Sequence, residues 1–289
     1  MIFGLNLPNY SSLGHRDAMI AIAGHAEELG YSTLWTSDHI LLPAALPEPF
    51  GNLLESFTLL SYLAGRTERI GLATGILVLP QRDPLLVAKQ AATVHHLSGG
   101  RLTLGVGVGW IEQEYAYLRS DFGARGQTAD EYIPAIRALF ETSSPEFHGA
   151  HIEYSDVLFS PRPSAPLPIV VGGTSRAALR RAATLGDGWH GLYLSPEQVR
   201  TAVGTLRECG RKDEFQISVR TTTRIGANTA AGDTSSGLSG DPAALTGQIR
   251  QYASAGVDQL VIEPVCADLD DFIEQITTFA TEVAPRSTP

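Results

Sequence analysis

Cysteine is almost missing from this chain. Cys209 and Cys266 are the only two in 289 residues, too few for a disulfide framework and without the spacing of a thiolate metal site. Lysine is equally scarce, at Lys89 and Lys212 alone, and 21 basic against 31 acidic residues give a formal net charge of −10. With no basic cluster to offset that balance, a nucleic-acid-binding surface is excluded. No apolar run approaches the length of a membrane span. Met1 leads straight into an apolar stretch with neither a basic n-region nor a cleavage pattern, so the expectation is a soluble, cytoplasmic protein without a signal peptide.

What is present is a glycine pattern. Residues 98–110 read Ser-Gly-Gly-Arg-Leu-Thr-Leu-Gly-Val-Gly-Val-Gly-Trp. Side chains alternate along a strand, so Gly105, Gly107 and Gly109 share one face while Leu104, Val106 and Val108 share the other. Glycine weakens a strand, so three on one face need a cause. Close approach of a ligand is one; a tight barrel strand with no room for side chains is another. A dinucleotide fingerprint is excluded, because its last glycine falls on Trp110 and the segment lies mid-chain rather than opening a βαβ half.

The rest of the chain repeats strand then helix. Strands are expected at 2–8, 32–38, 70–79, the glycine segment, 169–171, 188–191, 216–224 and 259–263. Helices are expected at 16–29, 55–64, 84–97, 130–140, 175–185, from Ser195-Pro196 onward, 243–255 and from 269. Eight such units predict a (β/α)8 barrel, one domain over residues 1–289. Two stretches break the rhythm. Residues 143–168 precede the fifth strand, hold a small hairpin around His148–His151 and fall on the bottom face. Residues 228–241 follow the seventh strand on the top face, where a flap or a plain loop is expected.

In such a barrel the chemistry gathers where strands exit. The second strand exits at Asp38-His39, a carboxylate beside an imidazole. The third exits through residues 74–80 and the fourth through the glycines and Trp110. The fifth exits at Gly172-Gly173-Thr174-Ser175-Arg176, small residues entering a helix. That turn suits a phosphate, although the same turn serves purely structural ends elsewhere. His95-His96 lie at a helix end on the bottom side, where charge compensation explains them better than a metal, and no metal site is expected. Arg125 and Glu131 are expected to pair with each other.

Ser37-Asp38-His39, Lys89-Gln90, Leu97-Ser98-Gly99-Gly100-Arg101, 105–110 with Glu114, and Arg125-Gly126 before Asp130-Glu131 together resemble the luciferase-like flavin and deazaflavin monooxygenase superfamily, most closely its coenzyme F420-dependent branch. The resemblance runs from the first strand to the eighth. It implies a non-prolyl cis peptide at Gly75-Ile76 behind the deazaflavin ring, with Asp38 at the ring system. Loop capping is the rival role for that carboxylate. The ribityl chain is implied against Gly107, Val108 and Gly109, and the phosphate at Gly172, Gly173, Thr174, Ser175 and Arg176. His39 matches an acid/base position, with positioning as its alternative role, and Trp110 stands where sugar-phosphate dehydrogenases carry a glutamate proton donor, which favours a less polar substrate. The function implied is hydride transfer between coenzyme F420 and a small or medium organic substrate. The alternatives are a monooxygenase using reduced FMN and a flavin-binding protein without turnover. A homodimer through the second and third helices is implied as well.

Overall fold

A computed structural model describes residues 1–46, 52–226 and 237–287. Eight parallel strands close into a barrel: β1 Ile2–Asn6, β2 Thr33–Thr36, β3 Gly71–Thr74, β4 Leu102–Gly107, β5 Ile169–Gly172, β6 Gly188–Leu192, β7 Gln216–Ile225 and β8 Gln259–Pro264. Each pairs with the next, and β8 returns to β1, so no edge of the ring is left open. Around it stand α1 Arg16–Glu28, α2 Ser56–Ala64, α3 Pro84–Leu97, α4 Arg125–Glu141, α5 Arg176–Leu185, α6 Pro196–Glu208, α7 Pro242–Ser254 and α8 Leu269–Thr278. This is the expected (β/α)8 architecture. Among the described residues no helix is long and apolar enough to cross a membrane.

The outward-facing strand residues and the inner helix faces form one continuous core that includes Leu5, Leu34, Leu72, Leu104, Val171, Val219 and Ile262. Inside the ring lies a separate cluster of Trp35, Ala73, Val170 and Val261. Helix starts follow their sequence signals. Asp83, ahead of Pro84, accepts the N–H groups of Leu85 and Leu86, and Ser195 forms a capping box with Gln198.

Four expectations need correction. The run at 70–79 is not one strand: β3 stops at Thr74, and after the Gly75–Ile76 bond a separate two-residue strand, Leu77–Val78, continues the pairing with β4 but not with β2. Helix α4 starts at Arg125, five residues early, because Asp121 accepts the N–H groups of Gly123 and Ala124 and turns the chain there. Arg125 and Glu131 do not pair. Arg125 stacks on Phe122 at 3.7 Å, while Glu131 accepts the N–H groups of His151 and Ile152 and ties the Phe147–His148/Glu153–Tyr154 hairpin to α4. Of the segment 228–241, residues 228–236 lie outside the described residues, and Gly237–Gly240 form a strand parallel to β7 rather than a loop.

Candidate active site at the C-terminal mouth of the barrel

The exit of β2 is gripped from several sides. The Asn9 amide donates to the Ser37 carbonyl at 2.9 Å and accepts its N–H at 2.9 Å, while the Ser56 hydroxyl donates to the same carbonyl. Asp38 is buried. Its Oδ2 accepts the Val78 N–H at 2.8 Å and its Oδ1 accepts Arg82 Nη2 at 2.7 Å. Burial pushes its carboxyl above the ordinary range against the opposing pull of Arg82 and the Val78 N–H. The loop-capping role is therefore visible in the geometry: Asp38 ties the β2 exit to the β3 exit.

His39 turns toward the short helix Glu112–Tyr117. Its Nδ1 lies 2.9 Å from Glu114 Oε2, and its ring meets Trp110 edge-on with centroids 6.4 Å apart. Glu114 is 1% exposed, and its other oxygen accepts the Ile40 N–H at 2.7 Å and the Leu41 N–H at 3.3 Å. Burial works to raise its pKa, but the His39 and Ile40 hydrogen bonds outweigh it and hold the carboxyl below the ordinary range. Glu114 was visible in the sequence as part of a motif, yet its role as the anchor of His39 was not.

The Gly75–Ile76 peptide is cis, as the resemblance implied. Gly75 backs onto the Trp35 indole, where an added Cβ would lie 2.9 Å from Cε3. The Ile76 side chain points into the barrel wall and supplies the cause of the glycine pattern. An added Cβ at Gly107 would lie 3.0 Å from Ile76 Cγ2 and one at Gly172 2.7 Å from Ile76 Cγ1; one at Gly105 would collide with the Thr74 carbonyl oxygen. Close packing against Ile76 and β3 accounts for these bare positions. Gly109 is different: it sits beyond β4 at φ 61°, where glycine is favoured, with Val78 and Tyr115 against it. The Tyr115 hydroxyl donates to the Val108 carbonyl at 2.6 Å, fixing the approach to Trp110, which is 63% exposed.

At the β5 exit Gly172 is buried, Gly173 adopts φ 114°, and Thr174, Ser175 and Arg176 are exposed. The Trp189 indole N–H donates to the Gly173 carbonyl, and Ser175 caps α5 by accepting the Ala178 N–H at 3.2 Å. The first-turn N–H groups of α5 lack intrahelical partners by construction and face the mouth with the helix's positive end.

The opposite half of the mouth holds groups the sequence reading missed. Arg220 on β7 meets Glu263 on β8 through two hydrogen bonds, 2.6 and 2.9 Å. It also donates to Ser37 Oγ at 3.1 Å and to the Tyr10 hydroxyl at 3.0 Å. Tyr10 and Tyr193 donate to Glu263, the latter at 2.7 Å. Burial would raise the Glu263 carboxyl, but Arg220 outweighs it and holds it low. Deeper in the barrel, His190 stacks on Trp35 with centroids 4.3 Å apart and bonds Ser218 Oγ at 2.8 Å. Burial, then the Arg220 charge, depresses its pKa to about 3, so it is neutral. The only sequence signal for these groups was polar residues at every second position of β7, which face the interior.

The family profile of the luciferase-like monooxygenases matches residues 2–236. The chain belongs to the luciferase-like monooxygenase family. An uncharacterised protein of Mycobacterium tuberculosis is similar to it, 34% identical over 217 residues, covering 69% of this chain and 75% of the relative. Among solved structures, the monooxygenase RslO1 from Streptomyces bottropensis superposes with a TM-score of 0.86 at 21% identity over the whole of both chains. An F420-dependent secondary alcohol dehydrogenase, solved with an F420–acetone adduct, gives a TM-score of 0.85 at 16% identity, over 100% of this chain and 99% of that one. At these identities the two structures bear on the fold alone. By its family the chain is an oxidoreductase or monooxygenase.

Proposed function

We propose that this luciferase-like barrel is one domain acting as a deazaflavin-dependent oxidoreductase, with coenzyme F420 held across the mouth and a small or medium organic substrate between His39 and Trp110. The carrying observation is the His39 imidazole, anchored through Nδ1 by buried Glu114 and set edge-on to Trp110 beside the cis bulge. A carbon–oxygen group that gains or loses a hydride also needs a proton partner for its oxygen, and the anchored imidazole supplies one at Nε2. When bound, the coenzyme supplies the hydride chemistry at its C5.

The residues present fit such a group. The exposed first turn of α5, with Thr174, Ser175 and Arg176, offers N–H groups and a cation to a phosphate. Backbone at Gly75-Ile76 would back the ring and Gly107, Val108 and Gly109 the ribityl chain, with Gly172 and Gly173 beside the phosphate. Asp38 holds the bulge in place through Val78 and Arg82. The protein's share is to orient the partners and exclude water.

The second reading is a monooxygenase using reduced FMN; the name carried by the RslO1 structure supports its monooxygenase part. A micromolar titration of oxidised coenzyme F420 and of FMN, followed by absorbance, separates the two. Binding of F420 with FMN weaker is expected; FMN binding without F420 binding sinks the leading reading. We further place the protein in the cytoplasm as a homodimer through α2 and α3, whose Tyr62, Leu85, Leu86 and Leu97 are exposed apolar side chains.

A further inference from the structure

Six large apolar side chains on the C-terminal face are exposed: Ile40 and Leu41 beyond β2, Trp110 beyond β4, Leu192 and Tyr193 at the end of β6, and Val265 beyond β8. Exposure of so many at one end of the barrel marks a surface made to be covered. Glu114 fixes the backbone under two of them through the Ile40 and Leu41 N–H groups.

Beneath this rim the charges are closed upon one another. Asp38 pairs with Arg82 at 2.7 Å, Glu114 with His39 at 2.9 Å, and Arg220 with Glu263 at 2.6 Å. Arg220 also donates to Ser37 and Tyr10. Two further cations lie on the same face. Arg176 stands at the α5 terminus assigned above to the coenzyme phosphate, and Arg224 donates to the Val265 carbonyl at 3.1 Å and shares the surroundings of Cys266 with Asp268 and Asp271. Among the described residues, the floor cations Arg82 and Arg220 are each paired with a carboxylate, while Arg176 and Arg224 stand exposed at the edge of the mouth. A carboxylate or phosphate would have to shed its water against apolar side chains and settled ion pairs, which is strongly unfavourable. An uncharged molecule faces no such cost, and its apolar body gains by covering the rim.

We propose that this mouth accepts uncharged, largely apolar substrates carrying one oxygen function, directed to His39, and rejects anionic ones. The proposal rests on the functional reading above, since it takes the mouth to be the substrate site. It narrows that reading to alicyclic or aromatic ketones and alcohols, as against sugar phosphates and carboxylic acids.

The chain itself carries the reporter. Of its three tryptophans, Trp35 and Trp189 are buried and Trp110 is exposed, so the emission that acrylamide quenches readily belongs to Trp110. The Trp110→Phe variant, altered at an exposed position, supplies the background. Cyclohexanone and acetophenone in the millimolar range should protect Trp110 from acrylamide, severalfold better than cyclohexanecarboxylate or benzoate at equal concentration. Equal or better protection by the anions, or none by the ketones, overturns the proposal. The measurement is made on the protein with and without coenzyme F420 or FMN. Failure of both coenzymes to bind would overturn the functional reading alone, because the selectivity between ketones and anions is read independently of them.

Discussion

Glu114 holds His39 through a 2.9 Å contact to Nδ1 across 75 residues of sequence. The same carboxylate receives the next two backbone N–H groups. His39 and the first part of the apolar rim thus share one support. A buried carboxylate in this position fixes both the tautomer and the direction of an imidazole.

Replacing Glu114 by Gln should therefore lower turnover by about tenfold to a hundredfold. His39→Asn should cost roughly 10²–10⁴-fold, the range ascribed to general acid–base groups. Steady-state kcat at saturating coenzyme checks both. Coenzyme affinity, measured by titration, should stay within a few-fold of the parent in each variant.

Arg220 and Glu263 make a second buried pair, and its removal should be felt as stability. Arg220→Met leaves Glu263 without its cation and should cost about 3–5 kcal/mol. Adding Glu263→Gln should recover much of that loss, because the stranded charge disappears with it. Urea unfolding of the two single variants and the double variant gives the comparison.

The space around Ile76 yields a suppressor test. Gly172→Ala would press a methyl against Ile76 Cγ1 at 2.7 Å and should cost about 1–3 kcal/mol as overpacking. Ile76→Ala in the same chain should remove most of that cost, giving strong non-additivity in a double-mutant cycle. Gly105→Ala should find no such relief, since it meets the Thr74 backbone oxygen rather than a side chain.

Acid should weaken the fold in two stages. Native His190 stays neutral down to about pH 3, against an ordinary value of 6.5. Between these values the unfolded chain takes up a proton that the native state refuses. Stability accordingly falls as pH drops below 6.5, by at most about 1.4 kcal/mol per pH unit for one group. Glu114 and Glu263 are held below their ordinary 4.5; their stabilisation is present above that value and is lost as pH falls below it. His190→Phe, which keeps a ring against Trp35, should flatten the first stage and leave the second. Urea midpoints over a pH series resolve the two.

The order of strands and helices was legible because each strand is a short apolar run and each helix a periodic one, separated by Gly, Pro and capping residues. The break in the 70–79 run was not. Gly75 marks it no more plainly than Gly71 does, and what ends β3 there is the loss of one partner: β3 pairs with both β2 and β4, Leu77–Val78 with β4. Within the site, Asp38, His39 and the glycines were visible as strand-exit residues. Their bonds were not, because each partner is remote: Arg82 lies 44 residues from Asp38 and Glu263 43 from Arg220. The glycine pattern was legible as a demand for space. What filled Gly105, Gly107 and Gly172 could be learned only by seeing Ile76 and Thr74 laid against them.

Ile76 is a plug that the protein supplies to its own wall, and this makes position 76 a lever for redesign. Shortening it would open a small apolar recess bounded by Gly107 and Gly172, reaching from the mouth into the barrel. A chain so altered would be a starting scaffold for substrates or coenzyme analogues bearing one extra methyl group, with the remaining charge pairs left undisturbed.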